Sequence, residues 1–153
     1  MNHVTNKKLN NKGFSLVELI IVVAIMAVLI GVLAPQYLKY VEKARQSADL
    51  DTIDSMISAV EIYSADPANS IVSGTITCAA NGDIKADDNV LPALKDAGLA
   101  ESSDTNATVL ATMKSTAYAK SWTINFSSTG VDASDATLAN ALAIAETPAP
   151  AGP

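Results

Sequence analysis

The sequence predicts an α+β chain in which a long N-terminal helix, over about residues 14–64, carries a small C-terminal antiparallel β-sheet head. Three observations predict it. Phe14 to Ala34 is almost continuously apolar, a helical pattern of apolar positions continues beyond it to Ser64, and the remainder alternates β-branched and aromatic runs with turn residues.

The first thirteen residues form a hydrophilic leader ending in Gly13. They hold Lys7, Lys8 and Lys12 and no acid, giving +3 with His3 counted neutral. Everything after them is acidic, with seven Lys and Arg against sixteen Asp and Glu, so −9. That balance opposes binding to a phosphate backbone, and no nucleic-acid partner is expected. His3 is the single histidine and Cys78 the single cysteine, which removes Ser/His/Asp and Cys/His catalysis, His-ligated zinc and any intrachain disulfide. The chain therefore reads as a non-enzyme without a cofactor.

Leu19 to Ala34 is an uninterrupted apolar stretch of sixteen residues. Phe14, Leu16 and Val17 extend it to the ~20 that a membrane-spanning helix needs, with Ser15 and Glu18 its only strongly polar members. Val32-Leu33-Ala34 resembles the cleavage site of a secretory signal peptide, but Pro35 follows it at once. The run is also longer than a signal-peptide core, and a signal peptide has no use for Glu18. A permanent anchor, or a segment processed before the apolar run, fits better.

Past the apolar stretch, Val41, Ala44, Ala48, Ile53, Ile57, Val60 and Ser64 recur at helical spacings, with Glu42, Arg45, Asp49, Asp51 and Asp54 largely between them. A single helix from Phe14 to Ser64 would be roughly 75 Å long. Pro35 lies within it, where its ring clashes with the carbonyl of Gly31, so a bend or local unwinding is expected between those two residues. Tyr37 and Tyr40 sit where an interfacial aromatic belt would, and Tyr63 is expected to pack under the head. Asp66-Pro67 ends the helix.

In the head, Ser70 to Cys78 alternates weakly, as a strand or an irregular loop would, and Ala80 to Asn89 reads as turn. Val90 to Leu99 has the spacing of a short helix stopped near Gly98. Thr108 to Met113 and Tyr118 to Phe126 read as strands, with Ser127, Ser128 and Gly130 as a turn. Thr137 to Ala145 suits either a short helix or a strand on the sheet, and Thr147 to Pro153 is Pro- and Ala-rich enough to be disordered. The acids Asp83, Asp87 and Asp88, and Asp132 with Asp135, lack an EF-hand pattern and read as solvated loop residues, so no metal site is expected. The domain division is a leader over 1–13, a membrane-spanning core helix over 14–38, a head over 39–146 that includes the amphipathic half-helix, and a tail over 147–153.

Lys12-Gly13-Phe14-Ser15-Leu16-Val17-Glu18-Leu19 resembles the class III signal of type IV prepilins, the GFSLVEL form of the N-terminal methylation motif. The resemblance covers about residues 7–64 well and the head only in architecture. It implies a prepilin held in the cytoplasmic membrane as a single-pass protein, cut after Gly13 by a prepilin peptidase and N-methylated on Phe14. It further implies Glu18 as the assembly residue and Gly31 with Pro35 as the helix kink. The function so implied is structural: a homo-oligomeric, extracellular pilus filament, with the membrane assembly platform, minor pilins and, before assembly, membrane lipid as partners. Such filaments serve adhesion, aggregation, twitching motility or DNA uptake. The alternatives are a pseudopilin of type II secretion and a minor or tip pilin. Orientation rests on the resemblance, because three Lys precede the apolar segment and Lys39, Lys43 and Arg45 follow it, a tie for the positive-inside rule.

Overall fold

The computed structural model describes residues 13–69 and 73–146. Apart from Gly13, the expected leader lies outside the described residues, and so does the expected disordered tail. Helix α1 spans Leu16–Ser64, 49 residues, with Pro35 inside it. It runs unbroken from Gly31 through Pro35, although proline removes the amide that would bond the Gly31 carbonyl. By internal contacts the chain divides between Lys39 and Tyr40.

In the unit that begins at Tyr40, a one-turn 3-10 helix, Pro67–Asn69, follows α1. Then come β1 (Ser73–Cys78), β2 (Asp83–Ala86), α2 (Leu91–Asp96), β3 (Ala111–Thr112), β4 (Trp122–Ser127), β5 (Gly130–Ala133), α3 (Ala136–Leu142) and β6 (Ala145–Glu146). The strands form one sheet in the order β3-β2-β1-β4-β5-β6. Every pairing is antiparallel except that of β5 with β6, where α3 makes the crossover.

Alternation sets the sheet's inner face. Ile76 stands opposite Ile124 and Cys78 opposite Trp122, and all four are buried. Ile84, Ala86, Phe126 and Ala133 continue that face, and Ile53, Met56, Ile57 and Val60 of α1 join the same core. Trp122, the single tryptophan, satisfies its indole N–H on the Tyr118 carbonyl at 2.8 Å. Gly74 lies on the inner face where a Cβ would meet Val90 Cγ1 at 2.5 Å, so the close approach of Val90, the N-cap of α2, requires glycine there.

Several expectations need correction. Ala80 to Asn89 is not all turn, because Asp83–Ala86 forms β2 with Ile84 fully buried. The turn signal of Asn81-Gly82 covers only the hairpin, where Gly82 (φ +90°) donates its N–H to the Ala79 carbonyl at 2.9 Å. The strand expected over Thr108 to Met113 shrinks to Ala111–Thr112, and that over Tyr118 to Phe126 begins only at Trp122. Thr137 to Ala145 is both of its alternatives in turn, helix α3 and then the start of β6. On α1, Ala44, Ala48 and Ser64 are exposed, whereas Asp49, expected on the polar face, is 4% exposed. The expected place of Tyr63 holds, packed against the core.

Because the head's core is complete within Tyr40–Glu146, removing residues 1–38 should leave a folded, monomeric protein. Circular dichroism and size-exclusion chromatography check this. An unfolded or aggregated product would mean that the head depends on the apolar segment.

Candidate functional site

Two sets of residues stand out, one at the start of α1 and one on its polar half. Gly13, Phe14 and Ser15 precede the helix outside any regular secondary structure, and a Cβ at Gly13 would meet nothing within 4 Å. Phe14 is 90% exposed. Ser15 acts as the N-cap, its carbonyl accepting from Leu19 N–H at 3.3 Å. Glu18 reaches back, and its Oε2 accepts the Ser15 backbone N–H at 3.0 Å. This is the reciprocal arm of a Ser-x-x-Glu capping box, which the sequence reading did not notice although the spacing was visible. The carboxylate is thereby aimed at the N-terminal end of the helix, where the helix dipole also favours negative charge.

Every residue from Gly13 to Tyr40 is exposed within the chain. The most apolar window of α1 has a mean hydropathy of 3.1 and none of it is buried. Burying one large aliphatic side chain is worth about 1.5–3 kcal/mol, so a helix that leaves Leu19 through Leu33 uncovered requires lipid or other protein around it. Within that stretch Gly31 presents no side chain, and four residues on Pro35 withholds the amide that its carbonyl needs, so the helix is weakest there.

The second set was missed by the sequence reading. Asp49 accepts N–H groups from Lys114, at 3.1 Å to each carboxylate oxygen, and from Ser115 at 2.7 Å. Seven residues earlier, Glu42 Oε1 accepts from Thr116 N–H at 2.6 Å and from its hydroxyl at 2.7 Å. Three successive amides of one loop are thus held by two carboxylates two turns apart on α1. The hydroxyl and amide of Thr116 hold the Glu42 carboxyl below the usual carboxylate range. The only sequence signal was the seven-residue spacing, in phase with Met56 and Tyr63.

The acids weighed as metal ligands have structural partners instead. Asp87 accepts from Thr75 N–H at 2.7 Å and Val90 N–H at 3.1 Å, so it ties β1 to the turn that leads into α2. Asp83 accepts from the Asn81 amide and the Thr112 hydroxyl. Asp88 accepts from the Asn106 amide at 3.2 Å, and Asp132 from that of Asn125 at 2.7 Å. Asp135 caps α3 through Leu138 N–H and pairs with Lys120 at 2.7 Å. Burial would raise its carboxyl, but those partners outweigh it and hold the group below the usual range. Among the described residues no three His, Cys, Asp or Glu side chains converge on a common point. Burial pushes the Cys78 thiol up to about 11, which makes it a packing residue and a poor nucleophile.

The arrangement is suited to assembly. Residues 8–34 match the family described as the prokaryotic N-terminal methylation motif. The chain is similar to fimbrial protein EcpC of Eikenella corrodens, at 34% identity over 113 residues that cover 71% of this chain and 67% of that protein. No solved structure matches it.

The contacts of Glu42 predict a pH dependence. A carboxyl whose folded value is depressed contributes stability above its unfolded value, near 4.5, and loses it as the pH falls through the lower folded value. Thermal unfolding of the full chain in detergent, followed by Trp122 fluorescence, should therefore fall below about pH 4.5. The loss should be smaller in Glu42→Gln. Parallel profiles for the two proteins would contradict the assignment.

Proposed function

The chain belongs to the type IV pilin family, and from that premise we propose that it is a body subunit of a type IV pilus. It is held in the cytoplasmic membrane by the apolar part of α1, cut after Gly13, methylated on Phe14 and polymerised through that same helix. The observation that carries the reading is the uncovered apolar segment headed by a carboxylate that points back toward the cleavage point. A prepilin peptidase, the membrane assembly platform and minor pilins are the partners this requires. In the membrane the head, residues 39–146, lies outside the cell, and it ends on the filament surface.

Before cleavage Glu18 bonds the Ser15 amide, a neutral donor. An ionised carboxylate in an apolar helix costs ~2.5–3.5 kcal/mol at the membrane centre and less near the boundary, and one amide offsets only part of that. Cleavage after Gly13 frees the amine of Phe14, cationic at neutral pH and about 6 Å along the axis from Glu18. In a stack of axially staggered copies the same carboxylate meets the amine of a neighbour. In low dielectric that pairing is strong, and it sets the register. Retention of Glu18 favours a body subunit over a tip pilin, and the acidic chain beyond the leader opposes DNA binding. Packing against neighbours would also let α1 unwind between Gly31 and Pro35, where one hydrogen bond is already missing.

Two experiments test this. The intact mass of sheared filaments should correspond to a chain starting at methylated Phe14, and a chain starting at Met1 or Gln36 would overturn the processing. Glu18→Ala should enter the membrane and be processed normally yet yield few filaments, with Glu18→Asp partly competent. Equal yields of filament protein relative to the membrane pool in Glu18→Ala and the parent would sink the pairing.

A further inference from the structure

Two triplets in the chain fit Asn-X-Ser/Thr with X other than proline: Asn106-Ala107-Thr108 and Asn125-Phe126-Ser127. We propose that Asn106 is the acceptor of an N-linked glycan, delivered from a polyprenyl diphosphate carrier outside the membrane. The inference rests on the reading that the head is exported.

The two asparagines differ in what surrounds them. Asn106 and Ala107 are the exposed central residues of a turn closed by Thr108 N–H on the Thr105 carbonyl at 2.8 Å. The Asn106 amide donates to Asp88 Oδ2 at 3.2 Å in an exposed bond, one that competes with water and is readily released. Thr108 Oγ1 accepts from Thr105 N–H at 3.1 Å, which leaves its own proton free to donate. Asn125 lies instead in the middle of β4, opposite Thr75 on one side and Asp132 on the other. The residue after it, Phe126, is 5% exposed and belongs to the core. A transferase must draw the triplet into its own site as a short extended peptide. At Asn106 that displaces a surface turn, whereas at Asn125 it would open the centre of the sheet.

The step is a substitution at the anomeric carbon. The Asn106 Nδ2 forms a bond to the sugar C1 as the bond from C1 to the diphosphate oxygen breaks. A base of the transferase takes the amide proton, and polyprenyl diphosphate leaves, with no change of oxidation state. The position also suits the fold. The turn leads directly into β3, the two-residue strand at one edge of the sheet, beside Val109, which is 43% exposed. A bulky hydrophilic group there would cover an open edge against pairing with other chains.

The test is glycopeptide mass spectrometry on the protein purified from its native cells. Trypsin releases residues 96–114 as a peptide containing the first triplet alone. Expected is a carbohydrate mass increment on this peptide that is lost in Asn106→Gln and in Thr108→Ala, kept in Thr108→Ser and unaffected by Asn125→Gln. A peptide at its polypeptide mass, or an increment that survives Asn106→Gln, overturns the proposal. Labelling intact cells with a membrane-impermeant amine reagent locates the cause of failure. Labelled head lysines without glycan leave the pilus reading standing, while unlabelled ones remove the export on which both depend.

Discussion

A helix whose apolar side chains find no cover within their own chain constrains the rest of the molecule. From Leu16 to Leu38 every large aliphatic residue is more than half exposed. Water cannot solvate such a surface, so this part of α1 exists in a bilayer or among copies of itself. The constraint explains why the polar members of the stretch are few and why they sit at its N-terminal end. Glu18 satisfies the Ser15 backbone N–H at the helix start from within, and a backbone donor bonded inside its own helix needs no water. It also explains how one proline is tolerated there, since neighbouring helices can compensate for the bond it removes.

The polar half of the same helix solves a different problem. An aliphatic stripe docks it on the sheet through Ile53, Met56, Ile57 and Val60, and two carboxylates fix the loop of Lys114 to Thr116. A buried aspartate is unfavourable unless its oxygens are occupied, and Asp49 meets that condition with backbone amides, which no rotamer change can withdraw. The loop so held places Ser115 and Tyr118 in the core, and the Tyr118 carbonyl in turn receives the indole of Trp122. Charge at Glu42 and Asp49 thus organises the start of β4, although neither residue belongs to the sheet.

Local signals carried the N-terminal half. The apolar run, the Gly-Phe junction, Glu18 and Pro35 are contiguous in sequence, and a helix brings together only residues a few positions apart, so pattern and structure coincide there. In the head the informative partners are distant. Asp49 bonds residues 65 and 66 positions away, so its local setting of polar neighbours pointed to solvent. Strand β2 has four residues, too few for alternation to outweigh the turn chemistry of Asn81 and Gly82 beside it. Tyr118 to Lys120, expected as the start of a strand, is turn instead, because it follows closely on Lys114 to Thr116, which α1 holds through Asp49 and Glu42.

By itself the sequence determined the α+β class, the extent of the long helix, the apolar segment with its single carboxylate and the family resemblance, all of which follow from composition and short-range periodicity. Only the tertiary structure decided the strand order β3-β2-β1-β4-β5-β6, the parallel return of β6, the burial of Asp49 and the separation of two triplets of one Asn-X-Ser/Thr pattern into an exposed turn and a central strand. The physical reason is common to all four. Each depends on which distant backbone amides and carbonyls find one another, and a polar group's preference for solvent or interior is set by the partners it meets there rather than by its neighbours in the chain.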